Sequence, residues 1–345
     1  MAAEYIGMSS LFEGLLPSIF KHHKSDVSGS SFSEAEIEAA TEAAVRGVDA
    51  GIRLLSGYQA RLRPAVESAL SYVNCLVEHI PGVLEVDSRS FSTDPRVNAF
   101  FVDANDLRSV FSRSSELRDF LNNGHGGDLE RCCALLCMKK TERNVLGVEL
   151  QGDQVRRDVK QVTVSFDDHQ IISPAASEAE VRQGLKTCLF QGLLTNALAR
   201  LASCHVSVQH MDAERRSLSA RLRSLESASE TGAGDAQELD QIRARLAGIE
   251  STRGQAPCLN PEHSLRQLLE VLEAPDQFVR LNSDRLSLDR LGVKLSDDKG
   301  AEPIDLAEVD LGGGDRRVVV LTSFPLGEML PQQDLLANMS RFLQI

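Results

Sequence analysis

Cys132, Cys133 and Cys137 form the sequence's most concentrated set of metal-ligating or redox-active side chains. Placed on a helix running to Lys139 or Lys140, Cys133 and Cys137 would share a face one turn apart, and their thiolates with His125 would offer three ligands to a soft cation. A fourth ligand is not in sequence reach. Zinc sites use tighter paired spacings and free cysteine is among the most buried residue types, so buried thiols are the preferred reading. A redox sensor would need an exposed thiolate of lowered pKa.

Asp167-Asp168-His169 is the second candidate, a composition suited to a hard cation or to acid–base work at the end of a strand. Strand alternation would let Asp167 and His169 converge while sending Asp168 to the other face. No other acidic or histidine motif is spaced to complete the site, so a solvated turn is preferred. Gly124–Gly127 enters the Cys-bearing segment as a glycine-rich turn, but it matches neither a P-loop nor GxGxxG, and Asp128 would oppose an anion there. GxSxG and HExxH are absent from the sequence. No catalytic residue and no cofactor is therefore expected, and the metal candidates are Cys133, Cys137, Asp167 and His169.

The 50 acidic and 37 basic residues give a net charge of −13, which repels a phosphate backbone unless basic side chains are segregated. The most arginine-rich stretch holds Arg215, Arg216, Arg221 and Arg223, yet acids balance it, so nucleic acid is not an expected partner. Seven cysteines with no CxxC pair suit a reducing cytoplasm. No leader pattern opens the chain, and no uncharged stretch approaches the ~20 apolar residues that cross a bilayer.

The strongest signal concerns architecture. Phe190, Leu194, Ala197, Leu201, Cys204, Val208, Met211, Arg215, Leu218, Leu222 and Leu225 follow alternating spacings of four and three, and Arg215 alone breaks the apolar seam. After the polar break Ser227–Gln237 the spacing resumes at Leu239, Ile242, Leu246 and Ile249. Two helices are expected to fold back on each other and bury this stripe. The outgoing seam is much longer than the returning one, so another helix of the chain, or a second molecule, is expected to cover the remainder.

Ser33-Glu34-Ala35-Glu36 and Ser177–Glu180 have the spacing of capping boxes at helix starts. From the first, a heptad-like helix is expected to Ile80, kinked or split at Pro64. A helix is expected over Asp106–Leu121, and a β-hairpin from Val145–Gln151 and Val159–Phe166 around Gly152-Asp153. Asn260-Pro261 has the order of a cap followed by a first helical proline. Short strands are expected at Leu286–Leu288, Leu291–Leu295, Ile304–Leu311 and Val318–Leu321.

The fold class that follows is α+β and predominantly α, with a coiled-coil hairpin or helical bundle and a small antiparallel sheet. The expected organisation is an arm and linker at 1–32, a helical region at 33–143, a β-hairpin at 144–173, the coiled hairpin and following helix at 174–274, and a β-rich region with a C-terminal helix at 275–345. The expected function is a non-enzymatic cytoplasmic scaffold or adaptor acting through a protein partner or self-association. Its interaction residues are Leu201, Val208, Met211, Arg215, Leu218, Leu222 and Leu225. The alternative is a metal-dependent enzyme or thiol-based regulator using Asp167 and His169 or the Cys132/Cys133/Cys137 cluster. Residues 5–24, apolar and then basic, suit docking to a protein in preference to a membrane surface.

Overall fold

The computed structural model describes residues 32–125, 129–151, 154–229, 236–255, 260–289, 291–295, 303–312, 314 and 316–331. The expected arm lies outside them except for Phe32, as does the expected C-terminal helix. In chain order the elements are helices α1 (Glu34–Val48) and α2 (Tyr58–Glu78), strand β1 (Leu84–Glu85), and short helices α3 (Ser90–Thr93), α4 (Pro95–Phe100), α5 (Ala104–Arg113) and α6 (Ser115–Phe120). Strands β2 (Arg131–Gln151) and β3 (Gln154–Ala175) follow, then helices α7 (Glu178–Ser229), α8 (Ala236–Gln255) and α9 (Pro261–Glu273), and strands β4 (Arg280–Leu286), β5 (Ile304–Asp310) and β6 (Arg316–Pro325). The class is α+β, with helix outweighing strand. No described helix is long and apolar enough to cross a membrane.

The chain divides into two units, one built from residues 32–69 and 191–275 and the other from 70–190 and 276–331. The first is helical. The Ser33 hydroxyl accepts from Glu36 N while the Glu36 carboxylate accepts from Ser33 N at 2.8 Å, completing the capping box that starts α1. The break after α1 does not fall at Pro64. It falls at Asp49, which leaves the helix in an extended conformation and accepts from Gly51 N at 2.8 Å, opening a 3₁₀ turn over Ala50–Leu54. Gly57, at φ 70°, takes the left-handed turn that leads into α2. Pro64 stays inside α2, where the cost of one missing backbone hydrogen bond is outweighed by the burial of Leu62, Ala65 and Val66 around it. Asn260 caps α9 by accepting from His263 N at 2.8 Å, as the sequence order implies.

The second unit is a six-stranded sheet in the order β3-β2-β6-β5-β4, with β1 parallel to β6 and every other pairing antiparallel. Here the structure corrects the helix expected to run through Lys139 or Lys140 with Cys132, Cys133 and Cys137 on it, and with it the helical region drawn to 143. That segment is β2, and the hairpin runs from Arg131 to Ala175 instead of 144–173. The reason is the continuous apolar run Cys132–Met138, whose period alone does not separate a buried helix from a strand buried on both faces. Its neighbour β6, which pairs Arg131↔Pro325 through Met138↔Val318, decides the matter.

Cys132, Ala134, Leu136 and Met138 face a core completed by Val318 and Phe324 of the sheet and by Val97, Phe100, Leu107, Phe111 and Leu117 of the short helices. Phe111 stacks on Phe324 at 4.4 Å between ring centroids, and Phe100 meets Phe166 edge-on at 5.0 Å. The expected helix Asp106–Leu121 is two helices, because Ser114 turns the chain and its hydroxyl accepts from Leu117 N at 3.1 Å to start α6. Of the expected C-terminal strands, Ile304–Leu311 and Val318–Leu321 correspond to β5 and β6. Leu286–Leu288 and Leu291–Leu295 reduce to the end of β4 and two isolated bridges, Leu288↔Lys294 and Thr163↔Val293.

Candidate interaction surface

The seam predicted along α7 is covered in two stages. Phe190, Leu194, Ala197 and Leu201 are buried, whereas Cys204, Val208, Met211, Arg215, Leu218, Leu222 and Leu225 are half-buried. Polar neighbours of the second group, such as Gln209, Ser217 and Arg221, are exposed, so the alternation of four and three is written in the burial. The early part of the seam is closed within the chain. A Cβ added to Gly47 of α1 would sit 3.6 Å from Leu194 Cδ1, and Arg200 pairs with Glu270 of α9 at 2.7 Å.

Helix α8 accompanies the outer part. Leu239, Ile242 and Ile249 are buried and Leu246 is half-buried. Arg253 pairs with Asp212 at 3.0 Å, Arg245 with Glu214 at 2.8 Å and Arg243 with Glu226 at 2.9 Å, and Arg221 pairs with Glu238. The start of α8, at Glu238 and Arg243, meets Arg221 and Glu226 of α7, whereas its later Arg245 and Arg253 meet the earlier Glu214 and Asp212, so α8 runs antiparallel to α7. At 1.5 Å per residue the 20 residues of α8 span ~30 Å and the 52 of α7 ~78 Å, so α8 accompanies only part of α7. Arg215 has no ion pair among the described side chains and is half-buried on the seam. Half-burial of its side chain fits a stem lying on the seam with the guanidinium turned to water.

The candidate chemistry resolves differently. Burial pushes the thiol of Cys132 up to about 11 and that of Cys137 up to about 12, and it also raises Cys133. All three are held as thiols near neutral pH, the state least suited to metal binding or redox attack. Cys132 and Cys133 lie on opposite faces of a strand, since β2 is not a helix. Asp168 takes φ 53°, which shifts the β2–β3 register between Cys137 and Lys139, and the simple alternation assumed for Asp167 and His169 does not hold there. His169 Nε2 lies 2.7 Å from Phe100 O and its ring stacks on Phe101, while Asp167 accepts from the Ser165 hydroxyl at 3.1 Å. Asp168 pairs with Arg317 at 2.6 Å. Among the described residues no three His, Cys, Asp or Glu side chains are grouped to hold a metal ion. The His125 side chain and residues 126–128 lie outside the described residues.

One charged cluster carried no sequence signal. Lys140 of β2 lies 2.5 Å from Asp284 of β4 and 2.6 Å from Glu308 of β5, with Glu142 at 3.8 Å. Burial works against the Lys140 ammonium, but its hydrogen bonds to Asp284 and Glu308 dominate and raise its pKa above the usual 10.5. A lysine so held is a structural counter-ion and a poor base or nucleophile. Only the paired strands bring these groups together, and spacing along the chain gives no hint of it.

No family model, curated protein or solved structure matches this chain.

Proposed function

We propose that this chain is a non-enzymatic scaffold or adaptor whose working element is the α7–α8 arm, a coiled-coil hairpin that receives a helix from a protein partner or from a second copy. The unfinished burial of the seam supports this reading. Phe190–Leu201 are closed by the chain's own helices, whereas Val208, Met211, Leu218, Leu222 and Leu225 stay half-open with α8 alongside. Val206, 65% exposed, adds apolar surface on the same stretch. Two helices leave one side of their joint groove open, and a third helix packed along it would complete knobs-into-holes contacts around these positions.

The test places lysine at Val208, Met211 and Leu218, singly and together, and follows association by sedimentation velocity at micromolar concentration and binding to purified candidate partners. Association or partner binding lost in the variants, with helical circular dichroism retained, supports the arm. Unchanged association and binding in all of them would remove the arm from the function.

A further inference from the structure

Past Met138 the β2–β3 hairpin leaves the sheet, because β6 pairs with β2 only as far as Met138↔Val318 while β2 continues to Gln151. From Lys139 onward the outer edge of β2 has no strand partner among the described residues. The outer edge of β3 is managed in the usual ways. Val164 N donates to Gly292 O and Lys294 N to Val162 O, both at 2.8 Å, and a bulge at Asp158, φ 60°, interrupts the strand farther out. Gly292 is needed for this: at φ 74°, an added Cβ would lie 2.8 Å from Val164 O. The free edge of β2 has no proline, and it exposes Val145, Leu146 and Val148, with Leu146 at 68%. Such an edge is a template for another strand.

The charges on that edge select an occupant. Arg143 and Glu149 stand three residues to either side of Leu146. If the strand pairs antiparallel with its own copy and Leu146 lies on the two-fold axis, Arg143 of each copy falls opposite Glu149 of the other, giving two cross-strand pairs of opposite charge. Moving the axis half a residue toward Val145 sets Glu142 opposite Glu149, and moving it the other way sets Arg143 opposite Leu150. Only the Leu146 register among these three is complementary in charge. We propose that two copies of this chain join through residues 143–149 of β2, antiparallel and centred on Leu146, to make one continuous ribbon of four strands. This surface is independent of the α7–α8 arm.

The experiment uses the full chain. Sedimentation should show a dimer that R143E weakens by about tenfold and that the swap R143E/E149R restores. Under mild oxidation Leu146→Cys should cross-link to its own copy, because directly opposed residues bring their Cβ atoms close to disulfide range, whereas Val148→Cys, facing Asn144, should not. Peptide mapping separates these links from those of the native cysteines, and the lysine variants of the arm should leave this dimer in place. A monomer throughout the micromolar range, a dimer indifferent to R143E, or equal cross-linking at positions 146 and 148 overturns the proposal. Arg143, Leu146 and Val148 are exposed, so R143E and the two cysteine variants keep the fold.

Discussion

Lys140 Nζ lies 2.6 Å from Glu308 Oε1, and the Glu308 side chain is only 13% exposed. The same ammonium reaches Asp284 at 2.5 Å, so one cation on β2 neutralises carboxylates from two other strands. Lys140→Met would leave Glu308 partly buried and without its counter-ion, and should destabilise the chain by about 1–3 kcal/mol in urea unfolding. Burial opposes ionisation of Asp284, yet its hydrogen bond to Lys140 prevails and holds its carboxyl below the usual 3.8. Its contribution is therefore complete above pH 3.8 and is lost as the pH falls below that value. Lys140→Met should flatten this acid-side loss in a pH series of unfolding curves, and an unchanged series would show that the pair adds no net stability.

His263 of α9 is 6% exposed, and neither of its ring nitrogens has a hydrogen-bond partner among the described residues. Burial depresses its pKa below 6.5, with Arg266 adding to the shift and Glu270 opposing it. The unfolded chain takes up a proton where the buried ring does not, so stability is complete above pH 6.5 and declines as the pH drops below it. His263→Leu removes a buried polar group of similar size and should stabilise by about 1–2 kcal/mol, with a larger gain at pH below 6.5 than above it. Thermal unfolding on both sides of that pH checks this.

Arg215 occupies a half-buried position on the α7 seam and has no ion pair among the described side chains. Arg215→Leu should raise the thermal midpoint, with a gain of about 1 kcal/mol from added apolar burial. A fall in the midpoint would mean that the guanidinium has a role beyond its stem's packing, or that the heptad register is displaced.

Asn260 Oδ1 accepts from His263 N at 2.8 Å and Pro261 follows as the first helical residue. Asn260→Ala should cost about 1 kcal/mol, and Asn260→Asp should largely preserve the cap. Equal losses in the two variants would show that the side-chain acceptor is not what holds the start of α9.

Cys75 is exposed, whereas Cys132 and Cys137 are buried and burial holds them as thiols. Iodoacetamide under native conditions should modify Cys75 quickly and the other two only after denaturant is added. Rapid native labelling of Cys137 would restore the thiol-regulator reading.

The seam of α7, the return of apolar spacing in α8, and the caps at Ser33 and Asn260 were all legible in the amino-acid sequence. Each depends on residues within a few positions of one another, where capping and helical periodicity act directly. The candidate arm was readable for the same reason, since heptad spacing is local. The position of the break between α1 and α2 was not, because Pro64 is the louder signal while Asp49 and Gly57 do the work through backbone geometry. Three further features belong to the tertiary structure alone. The run Cys132–Met138 is equally apolar as helix or strand, and it became β2 because β6, far along the chain, pairs with it. The Lys140 cluster joins residues as many as 144 apart through Asp284 and farther through Glu308. The free edge of β2 exists because β6 stops pairing at Val318, a consequence of strand register, which non-local hydrogen bonds set and local composition does not encode.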